Sequence, residues 1–325
     1  MTLSLKIQPT EIKVAVVITK EQLESLKLHK NPKGQKIFAR FILAPNFENP
    51  LTKTSITVEG KENLAKEGGA IYVMNHTDRY NYWPFQYWLF KNHYGHTATW
   101  VKGKYYENKA MAWLLDQCNN IPVPSKGYLL TKAFIKAAGR KPTDKEYLAL
   151  SKKDKFNTRF LSRFLKTNPD FFECLESDFA DLMSKVYQLS AWSLKNNLSL
   201  LIFPQGTRSL RLTAGHTGAV QLAMATKAPL IPVGCNGSDL CYPGNSPFSQ
   251  GGSITYRIGK PLLWTDELAP YYREINPFVT QTPETTKALN SVTELMMNRI
   301  NELLDEKYQR SNLNQPDTSK VGRFI

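Results

Sequence analysis

Short apolar runs of strand length recur along this 325-residue chain, and stretches with helical spacing separate them. That alternation constrains the fold more than any other feature. Residues 198–203 form a continuous apolar run, suited to a strand covered on both faces. Shorter runs predict strands at 55–58, 69–74, 97–101, 229–233 and 253–258, the last alternating as an outer strand would, and Ile121-Pro122-Val123 follows the helix expected at 110–118. Helices are predicted over 82–90, 110–118, 217–226 and 283–304, the last from Leu289, Val292, Leu295, Ile300, Leu303 and Leu304. Strands alternating with helices point to an α/β fold, a mixed central sheet flanked by helices. No apolar run approaches the roughly 18 residues of a membrane-spanning helix.

Residues 1–54 read as an N-terminal extension, with a strand at 13–19 and a short helix at 22–28. The main domain is expected over 55–308, with a largely helical basic insertion at 127–197. A polar tail, 309–325, is expected to be loose. The N-terminus lacks the charged-then-apolar order of a secretory signal, so a cytoplasmic location is expected. Cys118, Cys174, Cys235 and Cys241 match no zinc spacing and are expected to be reduced, buried thiols.

Charge narrows the choice of partner. The formal net charge is +14, and residues 126–166 alone hold 12 Lys/Arg against 3 Asp/Glu, a local balance of +9. Such a block attracts phospholipid headgroups, nucleic acid or an acidic carrier protein. Charge does not choose among them, but no nucleic-acid recognition motif accompanies it, and no nucleic acid partner is expected.

Two polar clusters follow predicted strands. The first is Asn75-His76-Thr77-Asp78-Arg79-Tyr80-Asn81, with a histidine where a strand gives way to a helix. The second is Phe203-Pro204-Gln205-Gly206-Thr207-Arg208-Ser209. Its glycine allows close backbone approach to a ligand, and its arginine can fork two hydrogen bonds onto a phosphate. Taken singly, His76 could be structural and the second cluster could be a turn with a surface arginine.

Together the clusters resemble the 1-acylglycerol-3-phosphate acyltransferase (glycerolphosphate or lysophospholipid acyltransferase) family, whose signatures are Asn-His-xxxx-Asp and Phe-Pro-Glu-Gly-Thr-Arg-Ser. Further blocks fall in the family's order. They are Val58-Glu59-Gly60-Lys61-Glu62-Asn63-Leu64, residues 102–123 closing on Ile-Pro-Val, Ala228-Pro229-Leu230-Ile231-Pro232-Val233, and Gly259-Lys260-Pro261-Leu262. The resemblance spans residues 55–306, interrupted by the insertion, and implies a glycerolphosphate-acyltransferase-like fold. It also implies acyl transfer from acyl-CoA or acyl-carrier protein to a hydroxyl of lysophosphatidate or a related glycerol phosphate, with no metal and no cofactor beyond that co-substrate.

An alcohol is a poor nucleophile at neutral pH, so a base must take its proton as it attacks. His76 matches the family's base. The aspartate that would hold the imidazole and stabilise its charged form is here Asn81, which can orient the ring but carries no charge. In the serine-protease triad the corresponding Asp-to-Asn change lowers turnover about 10⁴-fold. Asp78 is a candidate substitute, or else it caps the following helix or pairs with Arg79. Gln205 replaces the family's glutamate and is expected, by resemblance, to contact the substrate. By resemblance Arg208 grips the acceptor's phosphate, with Gly206 and Thr207 assisting. Lys102 and Lys126 match basic positions of the family, although either could be a solvated surface lysine. His216 stands where the family commonly has a basic residue. The paired amides leave a second reading open, a catalytically impaired pseudoenzyme that binds phospholipid or glycerol-phosphate headgroups.

Two features could seat the chain peripherally on the inner face of an anionic membrane. Phe156, Phe160, Leu161, Phe164 and Leu165 share a helical face flanked by Arg159, Arg163 and Lys166. Tyr80, Tyr82, Trp83, Phe85, Tyr87, Trp88 and Phe90 could line an acyl tunnel or sit at the interface. Packing into the core is the alternative for each.

Overall fold

In the computed structural model, which describes residues 18–66, 69–152 and 159–311, the chain opens with α1 (Lys20–Ser25). Thr19 caps it, accepting the Gln22 N–H while the Gln22 side chain returns to the Thr19 N–H. Next, α2 (Lys33–Phe38), a π-helical turn (Ala39–Leu43) and α3 (Ala44–Glu48) run on without a break. Then follow β1 (Thr54–Glu59), β2 (Ile71–Met74), α4 (Trp83–Lys91), β3 (Thr97–Lys102), α5 (Lys109–Gln117) and β4 (Asn120–Val123). The insertion supplies α6 (Lys126–Ala138), α7 (Asp144–Lys152), α8 (Arg159–Thr167) and α9 (Phe171–Lys195). The chain continues through β5 (Ser199–Ile202), α10 (Gly218–Thr226), β6 (Leu230–Asn236), α11 (Ser238–Cys241), β7 (Gly252–Ile258) and α12 (Pro283–Glu302).

The strands form one sheet in the order β1-β7-β6-β2-β5-β3-β4. Every pair is parallel except β6 with β7, so the sheet is mixed. β2, β5 and β6 are buried along their whole length, as their largely apolar sequences require, with Ser199 and Asn236 the buried polar exceptions. Period-two alternation sorts the side chains of β2 between two cores. Ile71 and Val73 join Val186, Leu222, Met224, Val292 and Met296, from α9, α10 and α12. Tyr72 and Met74 join Phe85 and Leu89 of α4 and Ala39, Leu43 and Phe47 of the N-terminal helices. The sheet is thus a middle layer with helices on both faces.

The expected strands and helices of the main domain are present, with one difference of placement. β7 is not an edge strand, because β1 pairs along its outer side from Thr54↔Gly252 to Glu59↔Arg257. Its alternation reflects burial of one face only, through Ile254, Tyr256 and Ile258. Residues 33–48, unassigned in the sequence reading, are helical and cover the sheet. The strand expected at 13–19 falls almost wholly outside the described residues, as does most of the tail. Cys235 and Cys241 are buried, Cys118 half-buried and Cys174 exposed, so burial does not hold for all four thiols.

The insertion is part of the core. Leu161 and Phe164 of α8 are buried, and the Phe164 ring packs 4.9 Å from Phe134 and 5.2 Å from Phe171. Phe160 stays on the surface beneath the Arg140 guanidinium, 4.4 Å away. Leu161 and Phe164 of the apolar face are therefore spent inside the protein while Phe160 is not, and Phe156 lies outside the described residues. α4 divides its aromatics: Phe85 and Tyr87 are core, while Trp83 and Phe90, with Tyr80 and Tyr82 just before the helix, line a large cavity.

Close approach of β6 to the turn after α12 depends on Gly234. A Cβ there would lie 2.6 Å from both the Cβ and the carbonyl oxygen of Leu303. Gly234→Ala should therefore cost about 1–3 kcal/mol by overpacking, read as a lower urea midpoint at unchanged slope. Gly244→Ala, whose added methyl meets nothing within 4 Å, should leave the midpoint in place.

Candidate active site

β2 and β5 are parallel neighbours, with Val73 opposite Ile202, so both strands end at the same edge of the sheet. The two polar clusters begin there, although 129 positions separate His76 from Gln205. Carboxyl ends of parallel strands are where open α/β sheets present ligand-binding residues. β3 pairs on the far side of β5 and delivers Lys102 to the same edge.

Backbone contacts weld the clusters together. Gln205 is buried; its Oε1 accepts the His76 N–H at 2.9 Å and its Nε2 donates to the Thr213 hydroxyl at 3.1 Å. The Ser209 N–H donates to the His76 carbonyl at 2.9 Å. His76 is thus held through both of its backbone polar groups by the second cluster. Gly206 takes a φ of +66°, and a Cβ there would sit 3.0 Å from the His216 ring, so the turn requires glycine. His216 closes this turn by donating its N–H to the Pro204 carbonyl at 2.8 Å.

The His76 ring stacks on Phe203 with centroids 4.1 Å apart, and its Nδ1 lies 3.1 Å from Asn81 Oδ1. Asn81 is fully buried, and its Nδ2 donates to the Asn75 carbonyl at 2.8 Å. With the amide nitrogen engaged there, the oxygen must face the imidazole, so Nδ1 carries the proton and Nε2 is the basic nitrogen. Asn75 is fixed in turn, donating to the Cys235 carbonyl at 2.9 Å and accepting its N–H at 2.7 Å. Tyr256 donates its hydroxyl to the Asn81 carbonyl at 2.6 Å.

Asp78 is occupied within its own turn. Oδ1 accepts the Tyr80 N–H at 2.8 Å and Oδ2 the Thr77 hydroxyl at 3.0 Å. The structure therefore gives Asp78 the Asx-turn role rather than contact with the imidazole, and it caps this turn rather than α4, which begins later. Burial raises its carboxyl above the usual range, against hydrogen bonds from Ser238, Tyr80 and Thr77 that lower it.

His76, Lys102, Lys126, Gly206, Thr207 and Arg208 line a cavity of about 2170 Å³, whereas Asn81, Asp78 and Gln205 stand behind its wall. Two cations missed in the sequence reading join them, Arg79 and Lys104. Arg79 Nε is buried without a hydrogen-bond partner. Burial, then the charges of Lys104 and Arg208, hold the Lys102 ammonium below its usual pKa; burial, Arg208 and Arg79 do the same for Lys104. Lys126 lies on the insertion side, paired with Glu176 at 2.8 Å and over the Phe179 ring.

The imidazole feels this concentration of positive charge. Burial pushes the His76 pKa down to about 3; the Asn81 hydrogen bond opposes this, and Arg208 and Lys102 add to it. His76 is therefore neutral across the physiological range, the state a base requires. Sequence signals for the missed pair existed: Arg79 sits inside the first cluster, and Lys104 follows Lys102 by two residues. Among the described residues, no group of three or more His, Cys, Asp or Glu is arranged to hold a metal ion.

The chain is 34% identical over 105 residues to a 1-acyl-sn-glycerol-3-phosphate acyltransferase of Cocos nucifera, a match covering 30% of this chain and 34% of that relative. The chain thus spans about a third of the length of the curated relative it matches. A solved structure, the 1-acyl-sn-glycerophosphate acyltransferase PlsC of Thermotoga maritima, superposes with a TM-score of 0.44 at 16% identity, covering 82% of this chain and 78% of that one. The acyltransferase family profile matches residues 55–236, more than half of the chain, and takes in both clusters and the strands that carry them. The chain belongs to the acyltransferase family.

Proposed function

We propose that this protein transfers a fatty acyl group from the thioester of acyl-CoA or acyl-carrier protein to a hydroxyl of lysophosphatidate or a related glycerol phosphate, in phospholipid synthesis. One observation carries the reading: a neutral imidazole with a fixed tautomer shares a cavity wall with Arg208, Lys102, Lys104 and Arg79. The cations suit a phosphate, and the apolar remainder of the cavity, from Phe38 and Leu43 through Tyr82 and Trp83, suits an acyl chain.

The chemistry balances with the residues present. His76 Nε2 takes the acceptor's proton as the hydroxyl oxygen bonds to the thioester carbonyl carbon. The resulting oxyanion collapses and the carbon–sulfur bond breaks. The departing thiolate takes the proton back from His76, leaving an ester, a free thiol and a neutral imidazole. The acyl donor is a co-substrate, and no step calls on a further cofactor. Gln205 holds the framework and makes no demand on a charge, which favours the enzyme reading over a headgroup-binding pseudoenzyme.

His76→Ala should lower acyl transfer at least about 10²-fold, the scale of general-base catalysis, in an assay of ester formed from acyl-CoA or acyl-carrier protein with lysophosphatidate. Arg208→Ala should chiefly raise the KM for the phosphorylated acceptor. No ester from wild-type protein with either donor and a panel of lysophospholipids would sink the reading in favour of the pseudoenzyme.

A lipid acceptor requires access from a bilayer, and no described helix is long and apolar enough to cross one. The face proposed to dock there is that of α2, the π-turn and α5. Ile37, Phe41 and Ile42 are exposed on the first two elements and Met111 and Trp113 on the third. The elements meet where Gly34 packs against Gln117. Lys33, Lys36, Arg40 and Lys109 belong to the same elements, with Asp116 the one carboxylate on them. Each such cation contributes about 1 kcal/mol near an anionic surface. Ile42 and Met111 also line the cavity, so apolar surface continues from the outside inward. The partner is thus the anionic inner face of a membrane rather than nucleic acid. Phe41→Asp combined with Trp113→Asp should abolish flotation with phosphatidylglycerol vesicles, while wild-type binding should weaken as salt is raised. Undiminished flotation of the double variant would exclude this face.

A further inference from the structure

The site contains an apparent contradiction: a base must become positively charged during turnover, yet no carboxylate is bonded to it. Asn81 supplies an oxygen to Nδ1 at 3.1 Å without a charge. Asp78 has its oxygens engaged in its own turn. Arg208, from the turn after β5, and Lys102, from the end of β3, both act on the ring, with Lys104 and Arg79 beside them. Phe203 covers one face of the imidazole and offers no charge. In the empty site, protonating Nε2 would add a cation to a cluster of cations.

We propose that the phosphate of the acceptor, gripped by Arg208 and Lys102, supplies the negative charge that the His76 imidazolium lacks, while Asn81 acts as a positioning residue that fixes the ring. The inference rests on the acyl-transfer reading and deepens it. The acceptor is then its own activator: its phosphate neutralises the cations that oppose protonation of His76 and lies near enough to favour the charged ring. An opposite charge within about 4–6 Å typically moves a pKa by about 1–3 units. The base gains strength only when a phosphorylated acceptor is in place.

The surroundings of Asn81 are built for an amide. Its Nδ2 points at the Asn75 carbonyl, 2.8 Å away, with Met74 Sδ at 4.0 Å. An aspartate there would set an oxygen lone pair against that carbonyl. The countercharge therefore cannot be restored at position 81 without loss of the bond that orients the side chain.

The decisive measurement is histidine-¹⁵N NMR of the intact protein, which reads tautomer and protonation without turnover. Free His76 should be the Nδ1–H tautomer and remain neutral above about pH 5. Saturating sn-glycerol 3-phosphate should raise its pKa by about 1–3 units, whereas glycerol should not. Arg208→Ala should remove most of the ligand-induced rise. Asn81→Asp should raise the pKa of the free protein and shrink the further rise on adding glycerol 3-phosphate. In steady-state assays, an acceptor without the phosphate, a monoacylglycerol, should lose kcat at least tenfold and not only KM. An Nε2–H tautomer, an unchanged pKa with glycerol 3-phosphate, or equal kcat for the two acceptors would each overturn the proposal. Absence of ester with every donor and acceptor would instead defeat the acyl-transfer reading, and the NMR titration keeps the two failures apart.

Discussion

The arrangement depends on the clamp that the second cluster places on the His76 backbone. Gln205 takes its N–H and Ser209 supplies an N–H to its carbonyl, so the histidine cannot move relative to the turn that carries Arg208. That clamp exists only because β2 and β5 are adjacent and parallel. The imidazole proposed as base and the arginine proposed to hold the phosphate are consequently carried by one hydrogen-bonded unit. Rigid placement of catalytic and binding groups lowers the entropic cost of bringing reactants together. It also explains why Gln205 serves where a glutamate is expected: its contacts are an accepted N–H and a donated hydrogen bond to Thr213, neither of which needs a charge.

The substitution at position 81 has a different consequence. Orientation and charge, usually combined in one carboxylate, are separable functions. Asn81 retains the first, since its hydrogen bond to Asn75 decides which atom faces the imidazole. In the proposal the second passes to the ligand: burial first, then Arg208 and Lys102, depress the His76 pKa, and an anion held by those two cations would relieve their part of it. A site with a fixed carboxylate has a strong base at all times, whereas the proposed arrangement would couple the strength of its base to the presence of a phosphorylated acceptor.

The elements of the main domain were legible because strand and helix periodicities differ and because buried parallel strands read as unbroken apolar runs. Adjacency was not. Nothing in residues 71–74 or 199–202 states that these strands pair, and only the family motifs hinted that their ends meet. Asn81 could be read as an acceptor for His76, but its donor half pairs with a backbone carbonyl, which has no sequence signature. Gln205 was read as a substrate contact for the same reason, since its partner is the N–H of His76. Lys104 and Arg79 were passed over because a lysine or arginine on a turn is ordinarily solvated; only the fold shows that they face a cavity. Helix α8 carried an amphipathic pattern that fits a bilayer and a protein core equally well. Phe134 and Phe171 decide for the core, and those neighbours come from helices on either side of it.

The insertion also changes how the charge of the chain should be understood. Its basic residues looked like one attractive block, yet several cations there are already engaged. Lys126 pairs with Glu176, Lys132 with Glu107, and Arg140 with Glu146. The exposed Lys126–Glu176 pair contributes little stability, and all three pairs blunt the local field. The cations gathered at His76 differ, since their surroundings depress the lysine pKa values rather than raise them. The net charge of the chain therefore says less about its partners than the position of Arg79, Lys102, Lys104 and Arg208, four cations gathered along the wall of one cavity.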